Sequence, residues 1–199
     1  RSSYFSLLTE HPQARARLVE LCAHGEFLAA QLARMPALLD ELIHDRWSEG
    51  LPDRAALEAE LTQRLGEVSP DDVEREVEAL CRFKQANVFR VALADLMGGL
   101  PLMQVSDKLT WIAEVIIEQV LAVAWADLTK KHGAPQRDSE GYGFAVFGYG
   151  KLGGIELGYG SDLDLVFIAD RADQGMTDGE RRIDNTVFST RLGQRMLHI

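Results

Sequence analysis

Two aspartates, Asp162 and Asp164, stand one residue apart in the run Ser161-Asp162-Leu163-Asp164-Leu165. Side chains alternate across a strand, so on an extended chain both carboxylates project from one face, roughly 6–7 Å apart along it. Leu163 and Leu165 then point to the opposite, buried face. Two carboxylates held this close repel each other unless a cation lies between them. Hard oxygen donors at one spot suit Mg²⁺ or Mn²⁺, with the remaining positions left to water and substrate phosphates. The same letters also fit a solvent-facing strand edge with two ordinary aspartates, and the spacing alone favours that reading.

A glycine-dense turn lies just ahead. Lys151-Leu152-Gly153-Gly154 precedes Asp162 by a short spacer and follows Phe144-Ala145-Val146-Phe147, an apolar run that reads as a buried strand. Glycine lets backbone N–H groups approach an anion with no Cβ in the way, and a helix start adds a favourable dipole. Gly153 and Gly154 are therefore candidate phosphate donors. Lys151 either pairs with a phosphate, stays solvated or pairs with Glu156, and the sequence does not choose among these. Glu156 reads as structural. Gly148, Gly150 and Gly153 spell G-x-G-x-x-G, but no βαβ unit with a ribose-binding acid follows, and the next strand arrives too soon. The five histidines are scattered without metal-ligand spacing.

An apolar residue, Gly-Gly, a short spacer and Asp-x-Asp on a strand resemble the pattern of polymerase-beta-like nucleotidyltransferases. The run from Phe144 to Asp170, FAVFGYGKLGGIELGYGSDLDLVFIAD, resembles the signature of bifunctional glutamine synthetase adenylyltransferases, a family with two such domains. Gly148-Tyr149-Gly150-Lys151-Leu152-Gly153-Gly154 with Glu156-Leu157-Gly158-Tyr159 is closer to the amino-terminal copy, which removes AMP, than to the carboxy-terminal copy, which adds it. His11-Pro12-Gln13-Ala14, Phe83-Lys84-Gln85-Ala86-Asn87, Val105-Ser106-Asp107-Lys108-Leu109-Thr110-Trp111 and Met176-Thr177-Asp178-Gly179-Glu180-Arg181 agree with it. The resemblance covers nearly the entire chain.

It implies that inorganic phosphate attacks AMP held on a tyrosine of glutamine synthetase, releasing ADP. It further implies Mg²⁺ or Mn²⁺ on Asp162 and Asp164, phosphates near Gly153, Gly154, Ser161 and Lys151, and a PII-type signal protein as a second partner. The superfamily brings a third carboxylate from a later strand, in an Asp-x-Arg-Leu-Arg-Pro-like segment, and no such segment occurs before Ile199. A first residue other than Met and the ending at Ile199 suggest a fragment, expected to bind metal weakly and catalyse poorly. A noncatalytic nucleotidyltransferase-like module that binds glutamine synthetase or a signal protein is the alternative. A plain helical scaffold would leave the glycines unexplained.

The elements that must carry these residues divide into two textures. Residues 1–132 read as helices: one from Pro12 through Leu18, Leu21 and Cys22, another from Pro36 through Leu38, Leu39 and Leu42. Asp53 caps a third with Leu57, Leu61 and Leu65 on one face. Ser69, Pro70 and Asp72 start a fourth, which Gly98-Gly99 stops, and its acidic run from Asp71 to Glu78 reads as a solvated face. Ser106-Asp107 starts a long helix that reaches Lys130-Lys131. No repeat of fixed period appears. After the polar loop 133–141, residues 142–199 read as a strand, the glycine turn, a second strand from Leu163 and a helix from Thr177 or Asp178. The fold class expected is α+β, a helical bundle beside a small mixed sheet forming an incomplete nucleotidyltransferase core.

Composition sets limits on partners. With 46% hydrophobic and 26% charged residues the chain is ordinary for a soluble protein. Its 21 Lys and Arg stand against 31 Asp and Glu, a net charge of -10 that repels polyanions and argues against nucleic acid as a partner. Cys22 and Cys81, each in an apolar helical pattern, read as buried thiols. The start lacks the apolar stretch of a signal peptide, and Trp111 to Leu128 is interrupted by Glu114, Glu118, Gln119 and Asp127. The expectation is a cytoplasmic protein away from membranes.

Overall fold

Amphipathic periodicity in the first two thirds of the chain builds helices. The computed structural model describes residues 2–24, 26–44, 50–69, 72–97, 99–136, 141–170 and 175–199. The helices are α1 (Ser2–Glu10), α2 (Pro12–His24), α3 (Glu26–Arg34), α4 (Leu39–His44), α5 (Arg54–Gly66), α6 (Val73–Leu96) and α7 (Leu102–His132). One 3-10 turn, Pro36–Leu38, leads into α4. Then come β1 (Phe144–Tyr149), the single turn α8 (Gly150–Gly153), β2 (Asp164–Ala169) and α9 (Asn185–His198). The α+β class holds. The sheet, expected as a small mixed one, is among the described residues an antiparallel pair of strands.

Several element boundaries differ from the sequence reading. Asp53 caps α5 as expected, accepting from the Ala56 N–H at 2.8 Å. At α6 the cap is Asp72, which accepts from the Arg75 N–H, and not Ser69; Pro70, Asp71, Gly98 and residues 137–140 lie outside the described residues. Ser106 and Asp107 lie inside α7, which begins after Pro101. The proline ring presets the backbone there, and burial of Val105 draws the extra turn into the helix. Thr177 and Asp178 belong to a turn. The Thr177 N–H donates to the Ile183 carbonyl, and its hydroxyl oxygen accepts from the Ile183 N–H. Those bonds delay α9 until Asp184 can cap it through the Thr186 N–H. Cys22 and Cys81 are exposed, contrary to the expected burial. Each follows a buried leucine, Leu21 or Leu80, and the roughly 100° step of the α-helix turns the next residue outward.

Three apolar clusters hold the elements together. Leu21, Leu28, Leu32, Leu42, Phe89 and Leu93 join α2, α3, α4 and the later half of α6. Leu57, Leu61, Phe83, Leu109 and Ile112 join α5, α6 and α7. Ala124, Phe188, Leu192 and Met196 join the end of α7 to α9, with Phe144, Val146 and Phe167 of the hairpin packed on them. α7 is long and apolar enough, by length and composition, to cross a membrane. In this fold it is the central helix, buried at Val105, Leu109, Ile112, Val115, Val123, Ala124 and Leu128 against its neighbours.

The buried charges inside the bundle are paired. The Arg90 guanidinium, 5% exposed, donates to both oxygens of Glu41 at 2.6 and 3.0 Å and to Glu60 at 2.9 Å. Asn87 accepts from Arg90 and donates to the Phe83 carbonyl. Burial disfavours the charge on Arg90, but the hydrogen bonds and charges of Glu41 and Glu60 outweigh it, so its pKa is raised. This network ties α4, α5 and α6.

Candidate active site

The hairpin places β1 and β2 in a register that pairs Tyr149 with Asp164, Phe147 with Val166 and Ala145 with Ile168. Paired residues share a face, so Asp164 lies on the outer side with Phe147, Tyr149, Val166 and Ile168, all exposed. The inner side, Phe144, Val146, Leu165 and Phe167, packs against the helices. Asp164 is the first residue of β2, and Asp162 lies on the approach to it; both are exposed. Two peptide steps span at most about 7 Å, so the carboxylates stay near each other. Strand β2 begins one residue later than expected, and Leu163 is 42% exposed rather than buried. It has no cross-strand partner in the ladder to hold it inward.

The connection between the strands is a short helix closed by a defined C-terminal motif. The Glu156 N–H donates to the Lys151 carbonyl at 2.7 Å, and the Ile155 N–H to the Leu152 carbonyl at 3.2 Å. This is the Schellman pattern, in which the residue after the cap is left-handed. That residue is Ile155, at φ 56°, where glycine is usual and a β-branched side chain is strained. Leu152 and Leu157 flank the motif and are buried in the cluster shared by α5, α6 and α7, so the turn is seated on the bundle.

Three glycines are demanded by space. A Cβ on Gly153 would stand 2.6 Å from the Gly148 carbonyl oxygen, and one on Gly148 would stand 2.7 Å from the Leu152 side chain. Gly150, at φ 56°, would carry a Cβ 2.5 Å from Oδ2 of Asp164. The Asp164 carboxylate thus lies directly on the first residue of α8. Gly154 has room for a Cβ, its nearest neighbour being 3.4 Å away, and its N–H is spent on the Gly150 carbonyl. Gly153 and Gly154 are the phosphate donors expected from the sequence; Gly150 is not among them. The positive φ and the contact with Asp164 mark Gly150, and its place in Gly148-x-Gly150-x-x-Gly153 was the available signal.

Ser161 closes the loop before the aspartates: its hydroxyl oxygen accepts from the Gly158 N–H at 2.9 Å, and its own N–H donates to the Gly158 carbonyl. Its hydroxyl proton remains for another acceptor. Lys151 is exposed and, among the described residues, makes no ion pair with Glu156. Tyr159, to which the sequence assigns no chemical role, donates to Asp95 Oδ2 of α6 at 2.8 Å and packs its ring 5.7 Å from that of Phe27. Burial, then the hydrogen bond to Asp95 and its charge, push the Tyr159 hydroxyl above its ordinary value, so it stays a donor. Among the described residues no group of three His, Cys, Asp or Glu assembles that could hold a metal ion.

Residues 15–199 match the glutamate-ammonia ligase adenylyltransferase family. The chain belongs to that family. It is 50% identical over 204 residues to the bifunctional glutamine synthetase adenylyltransferase/adenylyl-removing enzyme of Thioalkalivibrio sulfidiphilus, covering all of this chain and 21% of the relative. The enzymes of the same name from Pseudomonas putida and Pseudomonas syringae pv. tomato are each 50% identical over 202 residues, again across the whole chain, with 21% and 20% of their lengths covered. The chain therefore spans about a fifth of the length of the curated relatives it matches. In this member of the glutamate-ammonia ligase adenylyltransferase family the glycine turn and the two aspartates sit where the bundle meets the hairpin.

Proposed function

We propose that this region carries the adenylyl-removing site, belongs to the amino-terminal half of the enzyme, and acts on adenylylated glutamine synthetase. The observation that carries the reading is the pair Asp162 and Asp164, both exposed, with Asp164 resting on Gly150 at the start of a glycine-built helical turn. In the reaction an oxygen of hydrogen phosphate forms a bond to the AMP phosphorus while the bond from phosphorus to the tyrosine oxygen breaks. ADP is the product, and the proton carried by hydrogen phosphate ends on the tyrosine oxygen.

Oxygen donors on two adjacent carboxylates fit a hard divalent cation such as Mg²⁺ or Mn²⁺, which usually keeps several waters and takes its remaining ligands from substrate phosphates. Asp162 and Asp164 would hold it, and when bound it would stabilise charge on the transferred phosphoryl group. The chain's own contribution is orientation. The first turn of α8 has no side-chain cap and starts at Gly150, beside Asp164. Ser161 offers its hydroxyl proton, and Lys151, exposed and unpaired with Glu156, is placed on the same turn to meet a phosphate.

The test is phosphate-dependent formation of ADP from AMP-modified glutamine synthetase by the complete natural protein containing this region. Activity lost in Asp162→Asn and in Asp164→Asn, with AMP addition retained, supports the reading. Release of free AMP without phosphate, or full activity in either variant, overturns it.

A further inference from the structure

Residues 158–163 join the seated turn to β2 without strand pairing. Their one internal backbone bond runs from the Ser161 N–H to the Gly158 carbonyl, and Gly158 and Gly160 leave the chain free on either side of Tyr159. Asp162 lies on this stretch, two residues before the ladder begins. The fixed points are Leu157, which is buried, and Tyr159, which is half-buried and reaches both the α2–α3–α6 cluster and the α5–α6–α7 cluster. Beneath the loop is a cavity of about 130 Å³ lined by Ile112, Ile116, Leu157, Tyr159, Ser161 and Leu163. Packing fills that side of the loop incompletely, and the Tyr159 hydroxyl adds a directional bond to α6.

Resting on the adenylyl-removing reading, we propose that Tyr159 and Asp95 form a positioning pair: the phenol-to-carboxylate bond from the loop to α6 fixes the backbone that carries Asp162. Neither residue touches the reacting atoms; both act through the placement of that carboxylate. A hydroxyl donating to a carboxylate is stronger and more directional than a neutral bond. The ring against Phe27 sets the direction from which the hydroxyl reaches Asp95. A misplacement near 1 Å at a reacting centre is enough to slow turnover by about 100-fold.

The experiment is steady-state phosphorolysis of AMP-modified glutamine synthetase by the complete natural protein. Tyr159→Phe keeps the ring and removes the donor. Its kcat is expected to fall between about 10- and 100-fold while KM for phosphate changes less than about twofold. Asp95→Ala should match it, whereas Asp95→Asn, which keeps an acceptor oxygen, should stay within about threefold of wild type. The double variant Tyr159→Phe/Asp95→Ala should be no slower than either single one, since both remove the same bond. Asp164→Asn, run alongside, separates the two layers: if it turns over normally, the site reading itself fails. If it is inactive while Tyr159→Phe and Asp95→Ala keep wild-type kcat, the positioning pair is overturned. The pair is equally overturned if Asp95→Asn loses as much as Asp95→Ala.

Discussion

The bundle and the hairpin treat carboxylates in opposite ways. Glu41 and Glu60 sit against Arg90 in a network that uses both oxygens of Glu41 and leaves the guanidinium 5% exposed. Asp162 and Asp164 lie in the open, with no ion pair drawn from the described residues. Removing charges from water is costly, so the bundle pairs its charges at once. The hairpin leaves its carboxylates unpaired among the described residues, as the cation site proposed above would require. The same contrast runs through the backbone: α6 and α7 are regular, whereas the turn concentrates Gly150 and Ile155 at positive φ within six residues. Strain of that kind clusters at functional sites.

The largest effect on stability is expected at Arg90. Arg90→Ala leaves the buried Glu41 without its cation, while the part-exposed Glu60 keeps Arg64, and should destabilise the fold by about 3–5 kcal/mol. Replacing the buried pair together, as Arg90→Met/Glu41→Leu, should recover much of that loss in urea or thermal unfolding. A single variant with unchanged stability would mean the network is ornamental.

At the hairpin the expectation reverses. If the proposed site holds, Asp162→Asn and Asp164→Asn should each lower phosphorolytic activity by roughly 100-fold or more, because losing a direct ligand of the proposed cation would cost at least as much as losing an outer partner. Stability should stay within about 0.5 kcal/mol, as for other exposed substitutions. Near-normal ADP formation in either one would remove the contrast.

The two glycines of the turn sharpen it further. Gly153→Ala forces a Cβ to within 2.6 Å of the Gly148 carbonyl oxygen, and the resulting backbone shift should cost about 1–3 kcal/mol. Gly154→Ala meets nothing closer than 3.4 Å and should change stability by less than about 0.5 kcal/mol. Equal effects in thermal melts would contradict this packing. A modest gain is expected at Ile155. Relieving a left-handed residue gains about 1–2 kcal/mol, offset by the entropy glycine adds to the unfolded chain, so Ile155→Gly should stabilise by about 0.5–1 kcal/mol in the same melts.

Much of the fold was legible wherever a local signal coincided with a long-range one. Asp53 caps α5 because the cap letter precedes a face whose leucines are buried. Pro12 opens α2 for the same reason. Local signals mislead where two of them compete. Ser106-Asp107 has the letters of a helix start, but Pro101 and the buried Val105 begin α7 a turn earlier. Thr177 resembles a cap, yet its backbone and hydroxyl are taken up by Ile183, and Gly179 is drawn against His132 at the end of α7. The thiols of Cys22 and Cys81 were misjudged because an apolar pattern does not say on which side of a buried leucine the next residue falls.

By itself the sequence determined the helical and strand segments, the family, and the Asp-x-Asp with its glycine turn, since periodicity, turn chemistry and residue spacing are properties of neighbours along the chain. Only the tertiary structure decided that Gly150 rests on Asp164, that Gly153 is held by contact with Gly148, that Leu152 and Leu157 seat the turn on the bundle, and that Tyr159 reaches Asp95 across 64 residues. These are distances between groups far apart in sequence or folded back on themselves. No local pattern encodes them, because they are set by how the clusters pack and by which polar atoms find partners there.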